Sequence, residues 1–411
     1  MPTVRVLILV ALHYNWKIVQ LDISNAFLHG PLSETVFMRQ PSGFADQNHP
    51  HYVCRLKKAI YGLKQSPRQW YATLSQHLLK FGFKISAADP SLMVYHSGSV
   101  SLYILIYVDD ILLTGNNQTT INELLLSLQK QFSMKNLGQL SQFLGIQVST
   151  TQYGMHLSQT LYAKQILEKA GMTGSKPVAT PSVYKPSAVT ATEAEFENPQ
   201  LYRQLAGSLQ YLTLTRPDIT FAVQQVCQYM HKPLISHFHN LKRLLRYIQG
   251  TLDQGLPLYK DELKLHSYTD SDWAGDSTDR KSVTGYCNFL GNSLISWQAK
   301  KQSTVARSST EAEYRALATA ASEIIWLRRL LADFRISSLE PTPVFCDNTS
   351  AIALANNPVF HARTKHIEVD CHFIRECIQS QQIIVHHIST KDQIAEIVIF
   401  TGFVFSVTAT I

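Results

Sequence analysis

The chain has 411 residues, 45% hydrophobic and 16% charged, with a net charge of +7. These values exclude a disordered or collagen-like chain, leave room for two or three globular domains, and suit a polyanionic partner. Cys54, Cys227, Cys287, Cys346, Cys371 and Cys377 are scattered without a CxxC pair, which excludes a disulfide scaffold or zinc ribbon and fits a reducing compartment.

The N-terminal run "VRVLILVALHY" lacks a basic n-region and a cleavage site, and it is too short to cross a bilayer. It reads as a buried helix. No other stretch reads as transmembrane, so the expected location is intracellular, in the cytoplasm. Residues 102–115, "LYILIYVDDILLTG", predict a β-hairpin with Asp109 and Asp110 at its tip and a turn signal at Gly115-Asn116. Two adjacent carboxylates there form either a solvated turn or a divalent-metal site, because between apolar flanks they repel unless a cation lies between them. "TINELLLSLQKQF" predicts an amphipathic helix with Leu124, Leu125 and Leu128 on one side. Residues 176–200 hold four prolines among Ser, Thr and Ala and predict an extended connector. Residues 201–250 read as helical. "NLKRLLRYIQG" turns Leu241, Leu244, Leu245 and Ile248 inward and Lys242, Arg243 and Arg246 outward, a basic face either solvated or tracking phosphates.

From residue 263 the pattern returns to α/β. "LKLHSYTDSDWAG" predicts a strand ending at Asp270, and "PVFCDNTSAIALAN" a strand ending at Asp347 followed at once by a helix. Sites in α/β sheets form where strands end. "GYCNFL-GN-SLISWQ" predicts a hairpin with a primed turn at Gly291-Asn292. In "SSTEAEYRALATAASEIIWLRRLL", Ser308 and Glu311 form a capping box. Glu313 instead shares the apolar stripe of Leu317, Ala320, Ile324, Leu327 and Leu331. A carboxylate on a buried stripe is costly unless paired or metal-bound, which groups Asp270, Glu313 and Asp347 as one constellation. His361, His366, Cys371 and His372 match no zinc spacing and read as helix surface.

The motifs "VQLDISNAFLHGPLSETVFMRQPSGF", "YGLKQSPRQWY", "YVDDILLTGNN" and "FSMKNLGQLSQFLGIQV" resemble the reverse transcriptase of copia-type LTR retrotransposons. "YTDSDWAGDSTDRKSVTGYCNFLG", "SSTEAEYRAL", "VFCDNTSAI" and "RTKHIEVDCHFIRE" resemble the ribonuclease H that follows it in the same Pol polyprotein. The resemblance implies an α/β and α+β multidomain chain. Residues 1–160 would form a right-hand polymerase palm with incomplete fingers, and residues 161–262 a helical thumb or connection containing the linker 176–200. Residues 263–397 would form a ribonuclease H-like α/β domain, and residues 398–411 an aberrant tail.

Carried over residue by residue, the resemblance implies that Asp22 and Asp109 bind two Mg2+ ions with Asp110 beside them. Ala26 and Phe27 would lie against the incoming sugar, although plain core packing accounts for them nearly as well. Gly62, Lys64, Ser66 and Pro67 match the template-and-nucleotide segment, Tyr107 and Val108 the primer terminus, and "FLGIQV" the primer grip. Asp270, Glu313 and Asp347 would hold two metal ions at the nuclease, Mn2+ being the substitute for Mg2+ in either site. Glu396 stands where the family's fourth carboxylate is Asp. The implied partners are an RNA template, a DNA primer, an RNA–DNA hybrid and dNTPs, with no membrane.

Three departures accompany the resemblance. The family's reverse transcriptase begins before the segment matching "TVRVLILVALHYNW", which implies little or no polymerisation by this chain alone. Glu396 replaces the fourth nuclease Asp, and after Ile397 the chain reads "VIFTGFVFSVTATI", like translated sequence past a lesion. The implied function is therefore an RNA-directed DNA polymerase with ribonuclease H in an impaired remnant. The alternative is a non-catalytic remnant that binds nucleic acid.

Overall fold

The structure, a computed structural model, describes residues 1–182, 194–276, 278–357 and 367–399. The tail after residue 399 and the histidines His361 and His366 lie outside the described residues. The chain divides into two compact units, Val10–Leu144 with Asp333–Arg335, and Met1–Leu9 with Gly145–Ala332 and the described residues from Ile336. No described helix is long and apolar enough to cross a membrane.

The apolar N-terminal run forms helix α1 (Pro2–His13), buried from Val6 to Ala11 as its composition requires. In the first unit come strand β1 (Ile18–Ile23), a ribbon of β2 (Phe37–Arg39) and β3 (Val53–Arg55), and helix α2 (Ser66–Phe81). Then follow β4 (Lys84–Ile85), β5 (Leu92–Ser97), β6 (Val100–Tyr107), β7 (Asp110–Gly115), helix α3 (Gln118–Gln131), β8 (Met134–Gln139) and the short β9 (Gln142–Phe143). A six-stranded sheet has the order β4-β5-β6-β7-β1-β8.

The predicted hairpin is present, with Tyr107 opposite Asp110 across a two-residue tip. Residues 101–106 are all buried, on both faces of the sheet, so β6 shows no polar alternation. Leu102, Ile104 and Ile106 share a core with Trp70, Leu74 and Leu78 of α2 and with Ile121, Leu124 and Leu128 of α3. Recurrence three or four residues apart on each helix produces those stripes. Leu125 is half-buried at the margin. Asn117 caps α3 by accepting from Thr120 N at 2.9 Å.

The second unit begins with β10 (Ile146–Thr151) and β11 (Gly154–Ser158), which pairs further with β12 (Leu256–Tyr259). Between them lie α4 (Thr160–Lys169), α5 (Pro199–Leu212), α6 (Thr220–Gln228) and α7 (Ile235–Gly250), sharing one apolar core. The inward leucines of α7 are fully buried, as their spacing predicts. Two of its three cations behave differently from either sequence expectation. Arg243 Nη2 donates to Thr180 Oγ1 at 2.7 Å and Arg246 Nε to Lys176 O at 2.7 Å, fastening the start of the Pro-rich connector to the helix. Lys242 is exposed.

The C-terminal sheet contains β13 (Leu265–Ser271), β14 (Val283–Leu290), β15 (Ser293–Lys301), β16 (Thr342–Cys346) and β17 (Ile383–His387), in the order β15-β14-β13-β16-β17. The first three are antiparallel neighbours, whereas β16 runs parallel to β13 and β17 to β16. Helices α8 (Ser309–Asp333), α9 (Thr349–Asn356) and α10 (Glu368–Gln379) cover the sheet, and α11 (Glu396–Ile399) ends the described chain. Gly291 closes the β14–β15 hairpin at φ +57°, and a Cβ there would meet Glu262 O at 2.4 Å. Ser308 Oγ accepts from Glu311 N at 3.2 Å as the capping box predicts, but Glu311 Oε2 reaches back to Arg307 N, at 2.8 Å, one residue beyond the expected donor. Cys371 belongs to the core and not to the helix surface expected from the sequence, while His372 lies exposed 3.9 Å from Glu368.

Candidate active sites

In the first unit, antiparallel pairing sets Asp22 of β1 directly opposite Asp110 of β7. Asp109 occupies the hairpin tip after Val108, whose φ is +56°. A β-branched residue in the left-handed region is strained, so something must hold it. Trp70 Nε1 donates to Val108 O at 2.6 Å, and Ile23 N donates to Asp109 O at 3.0 Å. These two bonds hold the hairpin tip beside the end of β1. Trp70→Phe is expected to destabilise the unit by about 2 kcal/mol, since it orphans a carbonyl and leaves a gap in the core. Urea denaturation measures it; an unchanged midpoint would mean the tip is held otherwise.

Partial burial raises the pKa of Asp110, and the charges of Asp109 and Asp22 raise it further. Tyr61 is hydrogen-bonded to Asp109; its phenol pKa is raised by desolvation and then by Asp109 and Asp22. Three carboxylates in one field fit a divalent cation. Ala26 and Phe27 lie on a 3-10 turn, both buried, and the Phe27 ring sits 4.3 Å from that of Tyr61. Gly62 has φ +96°, and Lys64 is exposed on the approach to α2. Tyr61 and Trp70 lie within a motif read from sequence, yet nothing in their local pattern assigned them a role.

The second site stands at the carboxyl ends of β13 and β16. The chain leaves β13 toward β14 on one side while β16 pairs on the other, and such switch points open a crevice at strand ends. Asp270 closes on Glu313 of α8. Ser271 N donates to Asp270 Oδ1 at 2.8 Å and to Glu313 Oε1 at 3.1 Å. The two side chains, 6% and 5% exposed, are hydrogen-bonded to each other, which for two carboxyl groups requires a shared proton. Burial raises both pKa values, and the charge of Asp347 adds to each. Asp347 follows β16 at once, and Thr390 Oγ1 donates to its Oδ2 at 2.7 Å.

One donor was not singled out from the sequence. Cys346 Sγ lies 4.0 Å from Glu313 Oε2. Glu313, Cys346 and Asp347 each bring a ligand atom within 4.8 Å of the others. Among the described residues, Asp22, Asp109 and Asp110 form no group that tight. Glu396 begins α11. Gln393 steers the approach, donating from Nε2 to Thr269 O at 3.0 Å and accepting Ala395 N on Oε1 at 3.2 Å. The Glu396 pKa is raised by partial burial and then by Asp347, so its carboxyl group shares the field of this site. Asp272, two residues past Asp270, is pushed up to about 6, mainly by burial. A cluster of buried acids sharing protons is a fit for divalent cations, which would replace those protons.

Residues 1–184 match the family described as reverse transcriptase (RNA-dependent DNA polymerase). A retrovirus-related Pol polyprotein from transposon RE2 of Arabidopsis thaliana is 47% identical over 96% of this chain, and the chain spans 27% of that polyprotein's length. An uncharacterized mitochondrial protein of the same plant is 52% identical over 55% of this chain and 94% of its own length. Among solved structures, RNase H1 from the archaeon Halobacterium salinarum is 13% identical with a TM-score of 0.25, over 32% of this chain and 90% of that one.

Proposed function

The chain belongs to the copia-type family of retrovirus-related Pol polyproteins, and from that premise we propose that it is an RNA-directed DNA polymerase joined to a ribonuclease H. We assign residues 1–160 to palm and partial fingers, 161–262 to the connection, and 263–397 to the nuclease. The observation that carries the nuclease reading is the buried Asp270–Glu313 pair with Asp347 beside it at adjoining parallel strand ends. Without a cation that arrangement has to hold a proton, and it suits a metal ion at the scissile phosphate of an RNA–DNA hybrid.

Asp270, Glu313 and Asp347 would hold two Mg2+ ions, or Mn2+ in their place. The ions supply charge neutralisation at the phosphate and an activated water. Ser271 N fixes the orientation of both buried carboxylates, and Thr390 that of Asp347. At the polymerase, Asp22, Asp109 and Asp110 would hold the corresponding pair. Tyr61 and Phe27 would wall the nucleotide, and Gly62 and Lys64 would lie along the template-and-nucleotide segment. An RNA template, a DNA primer and dNTPs are the substrates this reading requires.

Glu396 favours a second reading, in which the chain binds nucleic acid and cuts nothing. Its extra methylene displaces the carboxylate by roughly a bond length, and a misplacement of about 1 Å can cost on the order of 10²-fold in rate. Mg2+ tolerates little departure from octahedral geometry. We therefore expect weak hybrid cleavage that rises about 10-fold or more in Glu396→Asp and vanishes in Asp270→Asn. An unchanged rate in Glu396→Asp, with Asp270→Asn inactive, would remove Glu396 from the site. Absence of cleavage in both the native chain and Glu396→Asp, with hybrid binding retained in a gel-shift assay, would establish the second reading.

A further inference from the structure

The nuclease site contains a thiol for which the phosphate chemistry has no use. Cys346 is the last residue of β16, fully buried, and its Sγ faces Glu313 Oε2 at 4.0 Å. Glu313 Oε1 is engaged by Ser271 N, so Oε2 is the oxygen turned toward the sulfur. Asp347, next in the chain, completes a group whose ligand atoms lie within 4.8 Å of one another. Asp347 Oδ2 is held by Thr390, which fixes that carboxylate from the outer side.

We propose that Glu313, Cys346 and Asp347 form a binding site for a thiophilic divalent cation, Zn2+ or Cd2+, overlapping the Mg2+ position. Mg2+ demands six oxygen ligands and takes no thiol, whereas a thiolate with two carboxylates and one water is a four-coordinate set suited to Zn2+. With Zn–S about 2.3 Å and Zn–O about 2.0–2.2 Å, tetrahedral angles put sulfur and oxygen about 3.5 Å apart. Closing the gap from 4.0 Å needs only a small rotation of the Glu313 or Cys346 side chain. On binding, the S–H bond breaks, its proton leaves to solvent and an S–metal bond forms; no electron is transferred. An ion held this way occupies Glu313 and Asp347, so it excludes Mg2+ and arrests cleavage. The arrest rests on the nuclease reading; the ligation does not.

Titration of the full chain with Cd2+, followed by the ultraviolet thiolate-to-metal charge-transfer absorption, tests the site without requiring turnover. The expected result is a band that saturates at one Cd2+ per chain, is absent in Cys346→Ser, and needs at least about 10-fold more Cd2+ in Asp347→Asn. A band of equal size in Cys346→Ser, or one indifferent to Asp347→Asn, overturns the proposal. X-ray absorption on the native chain with one equivalent of Zn2+ gives an independent reading should Cys346→Ser fail to fold. One sulfur at about 2.3 Å with oxygen neighbours is expected, and oxygen or nitrogen alone contradicts it. If the chain cuts hybrids, one equivalent of Cd2+ stops the native protein; if it cuts none, the nuclease reading fails while the spectra still decide the ligation.

Discussion

Glu313→Gln is expected to lower hybrid cleavage by on the order of 10³-fold or more, yet to raise the thermal stability of the metal-free protein. The activity loss follows from removing one of the buried metal-holding carboxylates. The stability gain follows from the proton shared between Asp270 and Glu313. Burial raises both pKa values above the unfolded carboxylate value of about 4, and the charge of Asp270 raises that of Glu313 further. Above that pH the folded state binds more protons than the unfolded chain, so stability falls as pH rises through the folded values. Gln cannot ionise, and its amide can donate to Asp270 where the shared proton was. The variant should gain about 1–2 kcal/mol at pH 8 and much less at pH 4. Mg2+ should raise the melting temperature of the native chain and leave the variant nearly unchanged. A variant less stable than the native protein at pH 8 without metal would show that the pair is not a repulsive reservoir.

Asp109→Asn is expected to reduce nucleotide incorporation, at whatever level the native chain supports it, by on the order of 10³-fold. The side chain keeps its shape, and the tip keeps the bonds from Trp70 and Ile23, so the fold should persist. What is lost is one of the two charges that, after burial, raise the Asp110 pKa, and with it the cation's grip. Circular dichroism should show no loss of stability, since a repulsive charge has gone. Primer extension on poly(rA)/oligo(dT) measures the rate. Incorporation that survives Asp109→Asn would remove this residue from the polymerase site.

Local pattern revealed the parts of both sites that depend on one element at a time. Residues 102–115 read as a hairpin because apolar runs flank a short polar tip, and Glu313 stood out because a carboxylate interrupts an apolar helical stripe. Contacts between distant elements left no such signal. Trp70 sits on the buried stripe of α2 like any core aromatic, and only the folded chain brings its indole to Val108 O. Tyr61 reads as loop until it meets Asp109. Arg243 and Arg246 read as an outward basic face, because no periodicity tells that the connector returns across them. Cys371 was misplaced for the same reason: the core it joins is assembled from α8, α9, α10 and strands far away in sequence.

The central claim is that Asp270, Glu313 and Asp347 cut the RNA strand of a hybrid. The direct measurement is a time course on one RNA–DNA duplex labelled on either strand, with single-stranded and double-stranded RNA of the same sequence, in Mg2+ and in chelator. The account predicts slow cleavage confined to the RNA strand of the hybrid, lost in chelator and in Asp270→Asn. Cleavage that persists in Asp270→Asn, or that treats single-stranded RNA and hybrid alike, would contradict it.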